Sequence, residues 1–223
     1  YPNFFENLNL KKDNFIKKTI LLPHLNLLEK QRSFDKKLKD KDKDKDIKII
    51  ILSRINLDPE GPTDDKGTIE IFKGINEFAK ITKKKIILAI RKNEFFKKNE
   101  IYIHKKIKLI RFEAMRRDKY INFLNQFDIA IDTLGLKVLN YSVLESLRLS
   151  IPTLTNCKAS YYKNLYAPPF IQCDSPESLS LCLKKISSDK KYKLQQKRKI
   201  LDWNTKIIKK KKELEKQWLE ILK

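Results

Sequence analysis

Short apolar runs alternate with amphipathic stretches along most of this chain of 223 residues. The runs have the length of buried strands and are bounded by turn-forming residues. They predict six strands, at 47–53, 85–90, 107–112, 128–132, 152–155 and 170–173. Strands that alternate with helices imply right-handed crossovers and a parallel sheet. The pattern therefore predicts an α/β fold with a doubly wound, Rossmann-like parallel sheet.

The stretches between these runs have the spacing of amphipathic helices. In 67–80, for example, apolar residues recur every three or four positions, at Ile69, Phe72, Ile75 and Phe78. Further helices are predicted at 116–127, at 141–149, from 176 and from 189 nearly to the end of the chain. Ser175 is a favoured N-cap for the helix that follows it. Before the first strand of the sheet, 19–24 predicts another short strand, and 39–46 is a charged low-complexity loop.

The composition is strongly basic, with a net charge of +22 and a pI near 9.8. Such a charge favours a polyanionic partner, either nucleic acid or an anionic membrane. An AT-rich coding sequence explains the lysine excess equally well. Proteins that recognise bases favour arginine for bidentate contacts, so a nucleic-acid partner is not expected. Peripheral contact with an anionic membrane remains an expectation.

The three cysteines have neither metal-ligand nor redox spacing, which favours a reducing, cytoplasmic location without disulfides. No apolar run is long enough to span a membrane. The two histidines lie outside any cluster of cysteine or acidic residues, so no metal site is predicted. Because the chain begins with Tyr1 rather than Met, we expect it to be part of a longer protein.

Several polar residues follow the predicted strands, at the edge of the sheet where parallel α/β proteins bind ligands. Arg54 follows the first strand, and Lys66 and Gly67 open the next helix. Two cations beside a helix N-terminus suit a diphosphate, and a glycine there would let the backbone approach it. Asp132 ends the fourth strand at the same edge and is included among the predicted binding residues.

Glu145 is the only charged residue among apolar neighbours at the start of its predicted helix. A carboxylate in this place can accept hydrogen bonds from sugar hydroxyls. We expect it to face an open cleft rather than a salt bridge, because a carboxylate among apolar residues must be solvated or paired. Arg116 and Arg117, which precede an earlier helix, are interpreted as polar surface.

Three strings in this chain resemble GT-B glycosyltransferases of the family 4, or group 1, type. Ser53-Arg54-Ile55 is similar to their Gly-Arg-Leu, and Lys66-Gly67-Thr68 matches their Lys-Gly-Thr. Pro152 stands seven residues after Glu145, as in their Glu-Ala-Met-Ala-x-Gly-x-Pro-Val. The resemblance implies the C-terminal, donor-binding half of a GT-B fold. The sequence also departs from the family pattern, because Ser53 stands where the family has a glycine.

The resemblance assigns roles to these residues. Arg54 and Lys66 would act on the donor diphosphate as catalytic and binding residues, with Gly67 and Asp132 nearby, and Glu145 would bind the ribose hydroxyls. The place of a second family glutamate is taken by Lys137, and a cation there would favour an acidic sugar. The implied reaction transfers a sugar from a nucleotide diphosphate to an acceptor hydroxyl, with no cofactor and no obligatory metal.

The acceptor implied by the resemblance is a glycan or a lipid-linked molecule, in the synthesis of a glycan or cell-envelope polysaccharide. The resemblance divides the chain into three parts: the end of an N-terminal domain with its linker (1–46), a nucleotide-sugar domain (47–190) and a C-terminal helix (191–223) that leaves this domain. Because the acceptor site lies in the other half of such enzymes, we expect this chain alone to be inactive.

Two other functions fit the sequence. A nucleotide-sugar epimerase of the same two-domain architecture would share the binding edge and need no acceptor. A basic module that binds a polyanion or a membrane surface would explain the charge, but it would leave the strand-helix pattern and Glu145 unexplained.

Overall fold

The computed structural model describes residues 46–53, 55, 66–92 and 101–221. They contain a six-stranded sheet in the order β3-β2-β1-β4-β5-β6, and every neighbouring pair is parallel. The strands are β1 (Ile47–Ile51), β2 (Ile86–Arg91), β3 (Ile107–Phe112), β4 (Ile129–Ile131), β5 (Thr153–Thr155) and β6 (Ile171–Gln172). The predicted doubly wound parallel sheet is confirmed. The strand predicted at 19–24, most of the charged loop and Arg54 lie outside the described residues.

Five α-helices follow the predicted pattern closely. They are α1 (Thr68–Ile81), α2 (Arg117–Leu124), α3 (Tyr141–Arg148), α4 (Pro176–Ser188) and α5 (Lys190–Ile221). Ser175 is the N-cap of α4, where its side chain and that of Ser178 form a reciprocal capping box. A 3₁₀ segment, Ala159–Leu165, was not predicted, because its seven residues include a non-helical kink at Tyr162 and show no helical period.

Helices cover both faces of the sheet, and the strands alternate between them. In β1, Ile49 and Ile51 pack with α1 and α4, whereas Ile50 packs on the opposite face near α2. This alternation follows from the two-residue period of a strand. A Cβ atom at Gly74 would lie 2.8 Å from both Leu179 Cδ2 and the Pro176 carbonyl oxygen, so this glycine lets α1 and α4 pack closely.

The first half of α5 packs on the domain, which corrects the expectation that the last helix leaves it. Trp203 and Ile207 join a buried cluster with Val143 and Leu147 of α3. The Asn204 side-chain amide also donates a hydrogen bond to the Leu147 carbonyl oxygen at 3.1 Å. The helix is held because its apolar residues recur on the side that faces α3. Among the described residues, no helix has the length and apolar character needed to cross a membrane.

Candidate functional site

The strand order reverses between β1 and β4, because the chain leaves these neighbouring strands in opposite directions. In open α/β sheets such a switch point is where ligands bind, beyond the carboxyl ends of the strands. The two ends are tied together, since the Ser53 hydroxyl donates a hydrogen bond to the Asp132 carbonyl oxygen at 2.8 Å. Ser53, which replaces the glycine of the GT-B pattern, is buried here and joins β1 to β4. We call this edge of the sheet the switch rim.

The start of α1 is fixed against the loop that follows β4. The Lys66 carbonyl oxygen accepts hydrogen bonds from the backbone N–H groups of Leu134 and Gly135, at 3.1 and 3.2 Å. It also accepts one from the Thr133 hydroxyl at 2.8 Å. These three bonds hold Lys66 at the switch rim, beside the N-terminus of α1.

Gly67 has a left-handed backbone, with φ of 66°. A Cβ atom there would lie 2.6 Å from the backbone nitrogen of Gly135, closer than real contacts allow. Glycine is therefore required by the approach of the protein's own loop. The predicted approach of a ligand to the Gly67 backbone stays a prediction.

Asp132 lies beneath the switch rim rather than on it, with no exposed surface. Its Oδ2 accepts a hydrogen bond from the Asn140 side-chain amide at 2.7 Å, and its Oδ1 has no partner among the described residues. Burial raises the pKa of Asp132 to about 6, although the Asn140 hydrogen bond and the Lys66 charge oppose this rise. Direct contact of Asp132 with a donor stays a prediction.

Glu145 lies on α3, and only 11% of its side chain is exposed. Its Oε1 accepts a hydrogen bond from Arg117 Nη2 at 2.5 Å. The expectation that Glu145 would have no salt bridge is therefore wrong, and its exposure to a donor cleft stays a prediction. Burial raises the pKa of Glu145, and Arg117 and then Arg148 act against this rise. The neighbouring guanidinium groups favour the ionised form of the carboxylate.

Sequence reasoning missed Arg117, which had been interpreted as polar surface. It is the first residue of α2, and a helix that follows a parallel strand begins at the carboxyl edge of the sheet. The same rule that located Lys66 could therefore have located Arg117.

Tyr120 is a second residue of this site that the sequence pattern did not single out. Burial, followed by the negative charges of Glu145 and Asp132, raises its pKa to about 12. The phenol therefore stays protonated at neutral pH and can donate a hydrogen bond. Its aromatic ring lies 6.5 Å from that of Phe112, which fixes it against β3. The charges of Glu145 and Asp132 thus both act on the Tyr120 phenol.

The structure therefore places Lys66 and the Arg117–Glu145 pair at the switch rim, with Asp132 buried beneath it. Lys137 is exposed in the loop between β4 and α3, and its carbonyl oxygen accepts a hydrogen bond from the buried Cys157 thiol at 3.8 Å. Within the described parts of the chain, no group of three or more histidine, cysteine or acidic side chains is placed to hold a metal ion.

Comparison with known proteins gives matches in structure but not in sequence. No family model and no curated protein matches the chain. The C-terminal domain of a glycosyl transferase group 1 family protein from Francisella tularensis is similar, with a TM-score of 0.51 and 15% identity over 74% of this chain and 85% of that domain. A UDP-forming α,α-trehalose-phosphate synthase from Burkholderia xenovorans, solved with glucose-6-phosphate, has a TM-score of 0.52 and 9% identity over 100% of this chain and 50% of its own.

A UDP-GlcNAc 2-epimerase from Neisseria meningitidis, solved with UDP-GlcNAc, matches with a TM-score of 0.48 and 13% identity over 83% of this chain and 44% of its own. That likeness is too low to bear on function. The chain spans about half the length of the synthase and of the epimerase, and most of the isolated domain. The fold is that of the C-terminal domain of a GT-B glycosyltransferase, as the resemblance implied.

Proposed function

We propose that this chain is the donor-binding half of a glycosyltransferase that moves a sugar from a nucleotide diphosphate to an acceptor hydroxyl. One observation carries the proposal: the loop after β4 holds Lys66 at the switch rim, beside the N-terminus of α1. A cation and a helix N-terminus at the switch point of a parallel sheet form a site for a phosphate group.

The proposed chemistry is electrostatic. When the bond between the sugar and the diphosphate breaks, negative charge develops on the leaving diphosphate. Lys66, together with Arg54 after β1, would stabilise that charge, as fixed positive groups do in many transfer reactions. The backbone N–H groups at the start of α1 would add to this effect. Glu145 would accept hydrogen bonds from the ribose hydroxyls of the nucleotide.

These cations supply the positive charge that the leaving group requires, so the proposed reaction includes no cofactor and no obligatory metal. The acceptor, a glycan or a lipid-linked molecule, would bind in the other half of a two-domain enzyme. The exposed Lys137 lies in the loop where the donor sugar would sit and favours an acidic sugar. We place the reaction in the cytoplasm, in the synthesis of a cell-envelope glycan.

Calorimetric titration of the full-length protein with uridine and guanosine diphosphates tests the proposal. Lys66→Gln should weaken binding by about 1.5–3 kcal/mol, the usual worth of a hydrogen bond to a charged group. Lys73→Gln is the matched control, because Lys73 lies on α1, which Lys66 precedes, is exposed and pairs with Glu70 on the same helix. Equal affinities of wild type and Lys66→Gln would reject the assignment.

The net charge of +22 favours a second candidate, a basic module that binds a polyanion or an anionic membrane. Binding of that kind weakens steeply as salt rises, because counterions are released. A shallow salt dependence with selectivity for nucleoside diphosphates favours the glycosyltransferase. Conversion of a nucleotide sugar into its epimer in the absence of acceptor would instead identify an epimerase.

A further inference from the structure

The ion pair between Arg117 and Glu145 differs from the other helix-surface pairs of this protein. Only 11% of the Glu145 side chain is exposed, against 56% for Arg117. In the α1 pairs both partners are exposed, for example at 53% and 54% for Lys80 and Glu77. Arg117 therefore reaches from the surface over a carboxylate that is mostly withdrawn from water. Such a pair fixes the carboxylate more strongly than a solvent-exposed one does.

The pair also joins two helices that meet at the switch rim. Arg117 is the first residue of α2, and Glu145 lies near the middle of α3. The two residues are 28 positions apart in sequence. Both helices begin at the carboxyl edge of the sheet, the edge that also carries Lys66. The contact therefore belongs to the proposed donor site.

Arg117 occupies only one of the two oxygens of Glu145. Oε1 accepts the hydrogen bond from Arg117, and Oε2 makes no hydrogen bond within the described part of the chain. An ionised carboxylate has about four acceptor positions, so most of this capacity remains. A vicinal diol, such as the 2′- and 3′-hydroxyls of ribose, can donate to that capacity.

We infer that Arg117 is a positioning residue of the donor site, which holds Oε1 of Glu145 so that Oε2 is directed at the ribose hydroxyls of a nucleoside diphosphate. The inference rests on the proposed function. Arg117 favours the ionised form of this carboxylate and fixes its rotation, so the Glu145 side chain loses less conformational entropy when the nucleotide binds. Arg148, three positions after Glu145 at the end of the same helix, adds positive charge but is not the group that fixes Oε1.

The test is the ratio of affinities for ribo- and 2′-deoxyribonucleoside diphosphates, measured by calorimetry on the full-length protein with the uracil and guanine compounds. Both probes carry the same diphosphate, so a general loss of positive charge cancels from the ratio. Glu145→Gln should lower the ratio about tenfold, and Arg117→Gln about three- to tenfold. The double variant should be no lower than Glu145→Gln alone, because the two residues act as one unit.

Arg116→Gln is the matched control. Arg116 precedes Arg117, its side chain is 82% exposed, and within the described residues its ion pair is with Asp118 at 3.4 Å. We expect the Arg116→Gln variant to have the same ratio of ribo- to deoxyribonucleotide affinity as the wild type. Arg117→Lys keeps the charge and should lower the ratio less than Arg117→Gln does. A larger fall in the lysine variant would overturn the inference.

The outcomes separate the inference from the proposed function. If Glu145→Gln lowers the ratio and Arg117→Gln does not, Arg117 only braces α2 against α3, and the inference fails alone. If Arg117→Gln weakens both probes equally, Arg117 acts on the diphosphate and the positioning role is overturned. If the wild-type protein binds neither probe, the proposed function fails and the inference fails with it.

Discussion

The buried carboxyl group of Asp132 gives a measurable pH dependence of stability. The variant Asp132→Asn keeps the shape of the side chain but cannot ionise. Burial raises the pKa of Asp132 from 3.8 to about 6 in the folded protein. The folded state therefore binds the proton more tightly than the unfolded state does. Stability that depends on this proton is complete below about pH 3.8 and is lost as the pH rises through 6.

The size of the effect follows from the shift. A difference of about 2 pKa units, at about 1.4 kcal/mol for each unit, corresponds to about 3 kcal/mol. The side chain has no exposed surface, so solvent screening does not reduce this figure. Relative to wild type, Asp132→Asn should gain up to about 3 kcal/mol of unfolding free energy between pH 4 and pH 7. That is a large share of the stability of an ordinary domain.

Urea unfolding of both proteins at pH 4, 5, 6 and 7 measures this difference. Other titrating groups are common to the two proteins, so their contributions cancel in the subtraction. Asp118→Asn is the control for the loss of a carboxylate charge, because the Asp118 side chain is 62% exposed. The reasoning is refuted if the difference for Asp132→Asn stays flat, or if wild type gains stability over the variant as the pH rises. The second result would mean that Lys66 outweighs burial.

Two further predictions concern packing, and urea unfolding measures both. Gly67→Ala should lower the unfolding free energy by at least about 1–2 kcal/mol, the cost of a left-handed backbone, and the overlap with Gly135 should add to this loss. A change below about 0.5 kcal/mol would contradict the requirement for glycine at position 67. Trp203→Ala should lower the unfolding free energy by about 3–5 kcal/mol, because it leaves a cavity where α5 packs on the domain. Lys206→Ala is the control, because Lys206 is exposed on the same helix and its loss should change the unfolding free energy little. Equally small effects of the two substitutions would show that α5 does not pack on α3.

The local pattern of the sequence was enough to predict the strands and helices of the described residues. Apolar periods of 2 and 3.6 residues depend on near neighbours, and so does the Ser175 cap. The parallel arrangement followed from the alternation of these elements. It located Lys66 and Glu145 at one edge of the sheet, because strands that run in one direction end on one side.

Only the tertiary structure decided how the side chains of that edge are paired. Glu145 meets Arg117 across 28 residues, and Gly67 meets Gly135 across a longer separation still. The burial of Asp132 and the packing of Trp203 on α3 likewise depend on elements that are distant in sequence. The hydrophobic period determines which face of a helix or strand is buried. The partner of a polar group is determined by how whole elements pack, because burial removes the group from water and its charge or hydrogen bonds must then be balanced by residues of another element.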